Sequence, residues 1–227
     1  MKVAMLVAAG TGTRMGTDKL WLNVDGLPIV GHAWRRYDGS SEVDAIVLVI
    51  RPEKREAFEA LAPQLGLNKP FKLVEGGQER QDSVWSGLNA CPSGTRWVAI
   101  ADAARPCTAS QLIEDCYRQA QAHGAVVAAS RVTDTLKRVT DSEISDTVDR
   151  DGLWAVQTPQ VFSFELIFKA LEQVRGSGYS FTDDTAACQH VGIPVRVVES
   201  GAPNPKVTFP SDLPYVRWLL ANPTDDA

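Results

Sequence analysis

The residues best placed to do chemistry stand close to the N-terminus, in "MLVAAGTGTRMGTDKLWL" from Met5 to Leu22. An apolar run enters a turn carrying Gly10 and Gly12, and Arg14 and Lys19 follow at once. Glycines lack a Cβ, so backbone N–H groups there can approach phosphate oxygens closely. Two fixed cations behind such a turn suit a triphosphate better than a single phosphate. The two familiar phosphate loops do not fit. A Walker A loop needs a glycine followed directly by lysine, which is absent here. A dinucleotide fingerprint needs a third glycine where Met15 stands. On this local pattern alone, a plain strand-to-helix turn with solvated basic residues competes with a phosphate site.

The elements that must position these residues can be read from periodicity. Val3–Ala9 and Asp44–Ile50 are short, nearly continuous apolar runs, as expected of buried parallel strands. Further strands are expected in "FKLVEGG", "RWVAIADAARP", "AVVAAS" and Ile193–Glu199. Helices are expected over Pro28–Tyr37, from Pro52 onward, over "ERQDSVWSGLNAC", over "SQLIEDCYRQAQAHG" with Ser110 as N-cap and Gly124 just past the end, over Phe162–Gly176 and over Pro210–Leu220. Strands alternating with helices predict an α/β fold: a Rossmann-like, mostly parallel twisted sheet covered by helices on both faces. Ligands bind such sheets at the carboxyl ends of strands, where Gly10–Lys19, Gly76–Arg80 and Asp102–Arg105 all fall. The rhythm breaks over 130–154, which is polar, β-branched and poor in large apolar residues. That stretch reads as a protruding β-arm at about 131–154 that cannot bury a core of its own and so packs on a partner, giving a homodimer. The expected organisation is one domain over 1–227 with that arm.

Composition narrows the class of partner. The chain has 227 residues, 44% hydrophobic and 22% charged, with a formal net charge of −5. A broad nucleic-acid-binding surface is therefore not expected. No stretch of about 18 apolar residues occurs, so no membrane association is expected. Cys91, Cys107, Cys116 and Cys188 have neither CxxC nor metal-ligand spacing and read as unpaired thiols of a cytoplasmic protein.

Several blocks stand in one order along the chain: "AAGTGTRM", "GGQERQDSV", "DAARP", "DTLKR", "TVDRDGLWAVQTPQ", "FTDD" and "KVTFPSDL". Together they resemble the nucleotidyltransferases that move NMP from an NTP to a sugar or polyol phosphate. More narrowly, they resemble the 2-C-methyl-D-erythritol 4-phosphate cytidylyltransferase family. The resemblance implies CTP and a polyol phosphate as substrates, Mg²⁺ or another divalent cation as cofactor, and a cytidylyl transfer. Transfer to ribitol 5-phosphate is the sister alternative, and a non-catalytic nucleotide-binding homologue a more distant one. It implies that Arg14, Lys19 and Lys206 are catalytic cations, with Lys206 on the α-phosphate. Ala8, Ala9, Gly10, Thr11 and Gly12 would cradle the nucleotide, and Gly77, Arg80 and Ser83 would line the cytosine pocket.

Some of these residues also suit simpler structural roles. Asp82 or Ser83 would serve equally as a helix cap. Asp102 would hold ribose hydroxyls or metal-bound water, with no dedicated metal ligand otherwise in view. Arg105 would meet the acceptor phosphate, unless it merely forms a surface ion pair with Asp102. The resemblance further implies that Thr135 and Arg150 on the arm bind the acceptor phosphate in the neighbouring subunit, and Thr158 the polyol. Lys137 and Arg138 read as solvated, and Asp183 and Asp184 as structural groups starting a helix. The family writes proline and glutamine around the lysine where this chain has Asp18 and Leu20, so Asp18 is expected to turn away from the anion site. Gln78 and Ala101 are further departures, from aspartate and histidine. His32, His123 and His190 share no motif, which agrees with direct displacement rather than a covalent enzyme intermediate.

Overall fold

The computed structural model describes residues 1–10, 18–175 and 183–223. Among them, seven strands form one sheet. In chain order these are β1 (Lys2–Val7), β4 (Ala45–Ile50), β5 (Phe71–Glu75), β6 (Trp97–Asp102), β7 (Ala125–Arg131), β10 (Trp154–Ser163) and β11 (Arg196–Glu199). Their spatial order is β11-β7-β10-β6-β1-β4-β5. β1 is paired in parallel with both β4 and β6, and β4 with β5. The chain thus moves outward from β1 in one direction to β5, then crosses back to β6 on β1's other side. That reversal leaves a crevice beyond the carboxyl end of β1, where α/β sheets bind ligands.

The inner strands β1, β4 and β6 are buried on both faces, which is why they read as continuous apolar runs. Along β1, Ala4 and Leu6 pack on one face with Trp34, Tyr37, Phe58 and Ile113. These come from α1 (Ile29–Gly39), α2 (Arg55–Leu65) and α4 (Ser110–His123). Val3 and Met5 point to the other face, where they meet Leu88, Leu171 and Cys188. That face is covered by α3 (Arg80–Ala90), α5 (Phe164–Arg175) and α6 (Asp184–His190). The last helix is α7 (Leu213–Ala221), entered through the short turn Pro210–Asp212.

Three expectations need correction. β10 is a strand that periodicity does not predict, although it sits between β6 and β7 and is antiparallel to both. Pro159 argues against an inner strand because it has no N–H to give a ladder. The sheet accommodates it at an irregularity, with the β10–β7 register shifting between Val156 and Gln160. α5 accordingly begins at Phe164, not Phe162. Ser110 is the first residue of α4 rather than its cap: the N-cap is Ala109, with no side-chain capping bond. Gly124 does follow that helix with φ of 86°, and its N–H donates to Ala120 O at 2.7 Å.

The 130–154 stretch holds a separate two-stranded sheet of β8 (Leu136–Thr140) and β9 (Glu143–Val148). Asp141 and Ser142 join them with φ of 49° and 67°, the backbone sign a two-residue hairpin turn requires. Val139 and Ile144 are 56% and 67% exposed there, so the hairpin buries no core of its own. The remaining short strands β2 (Asn23–Val24) and β3 (Leu27–Pro28) form a small hairpin before α1. No helix among the described residues is long and apolar enough to cross a membrane.

Candidate active site

Five described chain segments converge beyond the carboxyl ends of β1 and β6. The end of β1 contributes Ala9 and Gly10 to the floor of a cleft of about 200 Å³. Ala8 is buried, and its N–H is spent on Val49 O at 2.7 Å, so it supports the floor without lining it. Thr11, Gly12 and Arg14 lie outside the described residues. Lys19 stands on the rim of this cleft, and its Nζ donates to Val207 O at 2.8 Å. Asp18 turns away as expected: its carboxylate pairs with Arg51 and, at 3.1 Å, with Lys54.

The opposite wall is the loop between β5 and α3. Gly76 N–H donates to Ile50 O at 2.8 Å, and Gly77 N–H to Ser83 Oγ at 3.2 Å. The loop is so tight that a Cβ on Gly76 would lie 2.8 Å from Ser83 Oγ, and one on Gly77 would collide with Asp82. α3 starts on a reciprocal cap between Glu79 and Asp82, so Asp82 has the capping role. Ser83 instead faces the cleft, together with Gly77 and Arg80.

A second cleft of about 520 Å³ lies on the far side of Arg80, Asp102 and Lys206, which line both. Its other walls include Arg105, Thr158, Gln157 and Gln160. Asp102 ends β6, and its N–H donates to Thr158 Oγ1 at 3.0 Å, which ties the end of β6 to the middle of β10. Its carboxylate receives Arg80 Nη1 at 2.7 Å on one oxygen and Lys206 Nζ at 2.7 Å on the other. Burial opposes ionisation of Asp102, but Arg80, Lys206 and Arg105 outweigh it and hold the carboxyl well below the usual range. Asp102 is therefore a fixed negative charge at neutral pH and not a proton carrier.

Arg105 is not in a surface ion pair. It is 8% exposed, its Nε lies 3.9 Å from Asp102 Oδ2, and its Nη1 donates to Asn204 O at 2.5 Å. Its buried Nε has no hydrogen-bond partner beside the second cleft. Burial pushes its pKa down, against the pull of Asp102. Lys19, Arg80, Arg105 and Lys206 line the two clefts together with Glu79, Asp102 and Asp183, and they are the cations a polyanionic substrate would meet there.

The arm residues stand elsewhere. Thr135 and Arg150 are exposed, line neither cleft of their own chain, and the Arg150 guanidinium donates to Thr133 O. Lys137 Nζ donates to Thr147 Oγ1 at 2.5 Å along the exposed hairpin, and Arg138 is exposed.

Sequence reasoning missed three groups that build this site. Asn204 is buried and ties the C-terminal segment to β10: its Nδ2 donates to Thr158 O at 2.8 Å and Gln157 Oε1 at 3.1 Å. Gln160 is buried and accepts the Asp184 N–H at 3.1 Å. Asp183 caps α6, accepting from Ala186 N–H at 3.3 Å, but Asp184 reaches Arg80 Nη2 at 2.7 Å. A polar residue between two prolines, as in "PNP", and a second aspartate behind a cap were the available signals.

Comparison with known proteins shows the family. The model of the family described as 2-C-methyl-D-erythritol 4-phosphate cytidylyltransferase (IspD) matches residues 2–222. A protein of that name from Geobacillus thermodenitrificans is 38% identical over 221 residues, 96% of each chain. One from Pelotomaculum thermopropionicum is 40% identical, over 96% of this chain and 93% of that one. Among solved structures, a 4-diphosphocytidyl-2C-methyl-D-erythritol synthase from Anaerococcus prevotii superposes with a TM-score of 0.85 at 25% identity, covering 97% and 98% of the two chains. A 2-C-methyl-D-erythritol 4-phosphate cytidylyltransferase from Thermus thermophilus does so with a TM-score of 0.81 at 29% identity, covering 97% and 100%. The order of blocks in the sequence, the doubly wound sheet and these matches agree: the chain belongs to the 2-C-methyl-D-erythritol 4-phosphate cytidylyltransferase family.

Proposed function

We propose that this chain transfers CMP from CTP to 2-C-methyl-D-erythritol 4-phosphate, giving 4-CDP-2-C-methyl-D-erythritol and pyrophosphate. The observation that carries the assignment of its site is the wall of Arg80, Asp102 and Lys206 shared by two clefts. One cleft takes the nucleotide over Gly10 and against Gly77, Arg80 and Ser83. The other takes the acceptor against Arg105 and Thr158. The reacting phosphates then meet at the shared wall.

An oxygen of the acceptor phosphate forms a bond to the α-phosphorus of CTP, and the bond to the bridging oxygen of the β-phosphate breaks. Pyrophosphate leaves with that electron pair. The attacking phosphate is already an anion near neutral pH, so no general base is required, in keeping with an Asp102 that stays ionised. Catalysis then comes from positioning and from cations aimed at developing charge. Lys206 serves the α-phosphate, while Lys19 and Arg14 serve the triphosphate. Mg²⁺ asks for one or two carboxylates and keeps waters and substrate phosphates as its other ligands. Both oxygens of Asp102 are engaged, by Arg80 and by Lys206 at 2.7 Å each, so Asp102 would hold an ion carried in with the triphosphate through that ion's waters and not as a direct ligand. Bound there, it would add positive charge against the phosphates.

The exposed hairpin supports a homodimer in which Thr135 and Arg150 complete the acceptor cleft of the partner. We read the chain as one nucleotidyltransferase domain with this arm. Cys91, Cys107, Cys116 and Cys188 form no disulfide with one another, which suits a reducing cytoplasm. Pyrophosphate release from CTP, measured side by side with 2-C-methyl-D-erythritol 4-phosphate and ribitol 5-phosphate, tests the reading. Preference for the first acceptor is expected, and equal or greater turnover of the second would overturn it.

A further inference from the structure

Arg80 divides its guanidinium between two carboxylates. Nη1 donates to Asp102 Oδ1 and Nη2 to Asp184 Oδ2, each at 2.7 Å. An arginine facing one carboxylate usually closes on both its oxygens as a parallel fork. Here the fork is split, and the second oxygen of Asp102 is left to Lys206 at 2.7 Å. The group that splits it is wholly buried: Asp184 is 0% exposed.

The backbone that carries this carboxylate is held in place from the sheet. Gln160, on β10, accepts the Asp184 N–H at 3.1 Å and donates through Nε2 to Asp183 Oδ2 at 3.2 Å. A continuous chain of bonds therefore runs from β10 through α6 to Arg80, Asp102 and Lys206. Burial raises the Asp184 carboxyl, against the pull of Arg80, so placing a charge there is costly. Buried ion pairs seldom repay that cost in stability, and apolar side chains of similar size commonly serve a core as well or better. The cost is understandable if the pair sets geometry at the site.

We infer that Asp184 is a positioning residue for both clefts. By taking one arm of the Arg80 fork, it keeps Arg80 on the nucleotide side and keeps Asp102 Oδ2 for Lys206. The inference rests on the reading of the Arg80 cleft as the nucleotide site. With Asp184→Asn the side chain keeps its shape but loses its charge. Arg80 then swings to a two-oxygen grip on Asp102 and displaces Lys206.

The test is CTP binding by calorimetry, well below the melting temperature, for the wild type, Asp184→Asn, Arg80→Gln and the double variant. Asp184→Asn should weaken CTP about tenfold, the scale of one charge-assisted hydrogen bond. In the Arg80→Gln background the same change should have no further effect, because Asp184 acts through Arg80. A role confined to folding would lower the melting temperature and leave the affinity of the folded chain alone. Unchanged affinity in Asp184→Asn, or an equal tenfold loss in both backgrounds, would overturn the inference while leaving the nucleotide reading intact. A wild-type chain that binds no CTP would overturn both. Should Asp184→Asn not fold, Gln160→Met keeps the carboxylate but loosens its backbone. It should weaken CTP about threefold, and wild-type affinity there would likewise overturn the inference.

Discussion

Replacing Lys206 by alanine separates binding from chemistry more cleanly than any other single change at this site. The side chain is 43% exposed and meets Asp102 Oδ2 at 2.7 Å. Once it is gone, Asp102 still has Arg80 at 2.7 Å and Arg105 at 3.9 Å, so no unpaired charge is left buried. An ion pair this exposed contributes under about 1 kcal/mol after solvent screening. The melting temperature should therefore fall by no more than about 2–4 °C. The effect on turnover should be far larger. A cation aimed at charge that builds up only in the transition state contributes on the order of 10²–10³ in rate, or about 2.7–4 kcal/mol. Such an interaction lowers kcat and kcat/KM together and leaves KM for CTP nearly unchanged. Steady-state pyrophosphate release, with unfolding followed in parallel, measures both quantities. A folded Lys206→Ala protein with kcat within about threefold of wild type would refute the assignment. A raised KM with intact kcat would reduce Lys206 to a ground-state contact.

Asp18→Asn should leave kcat within about threefold, because the carboxylate faces Arg51 and Lys54 and serves only a partly exposed ion pair; a hundredfold loss of pyrophosphate release would contradict this. Gly77→Ala should raise KM for CTP and cost about 1 kcal/mol or more in denaturant melts, since the added methyl displaces Asp82 from its cap; wild-type values for both would contradict the packing. The folded-state pKa of Asp102 is depressed, so its stabilising contribution is present above the unfolded value and lost as pH falls toward the folded one. Denaturation midpoints of wild type and Asp102→Asn should therefore converge only below about pH 4, and convergence by pH 6 would contradict the ion cluster. If Arg150 acts across a dimer, mixing inactive Arg150→Ala and Lys206→Ala chains should restore about a quarter of wild-type activity through hybrids holding one intact site. No restoration after confirmed subunit exchange would place Arg150 in its own chain's site or outside catalysis.

Much of the fold was legible because both faces of the sheet are covered. A continuous apolar run as short as "AIVLVI" fits a buried strand and little else, and the glycine after α4 marks its end unambiguously. β10 escaped because Thr158, Pro159 and Gln160 break the apolar run at the point where the strand is irregular. The site was legible where charge or glycine stands at a strand end, as with Gly10, Gly77 and Asp102. It was not legible where the working groups are neutral amides or come from distant segments. Asn204 and Gln160 carry no charge pattern, and Asp184 meets Arg80 across 104 residues of sequence, so neither spacing nor periodicity points to them. For Arg105, nearness to Asp102 in sequence left a surface pair open beside the acceptor contact, and the fold removes that alternative by burying the side chain under the C-terminal segment.

In the proposed reaction the two clefts hold CTP and a polyol phosphate so that CMP passes directly from one to the other. Phosphorus NMR of the wild-type protein with CTP, 2-C-methyl-D-erythritol 4-phosphate and Mg²⁺ tests this most directly. Direct transfer predicts a new pair of coupled diphosphate signals growing in step with one equivalent of pyrophosphate, and neither signal without the acceptor. Pyrophosphate or orthophosphate released without the acceptor, or no change with it, would contradict direct transfer.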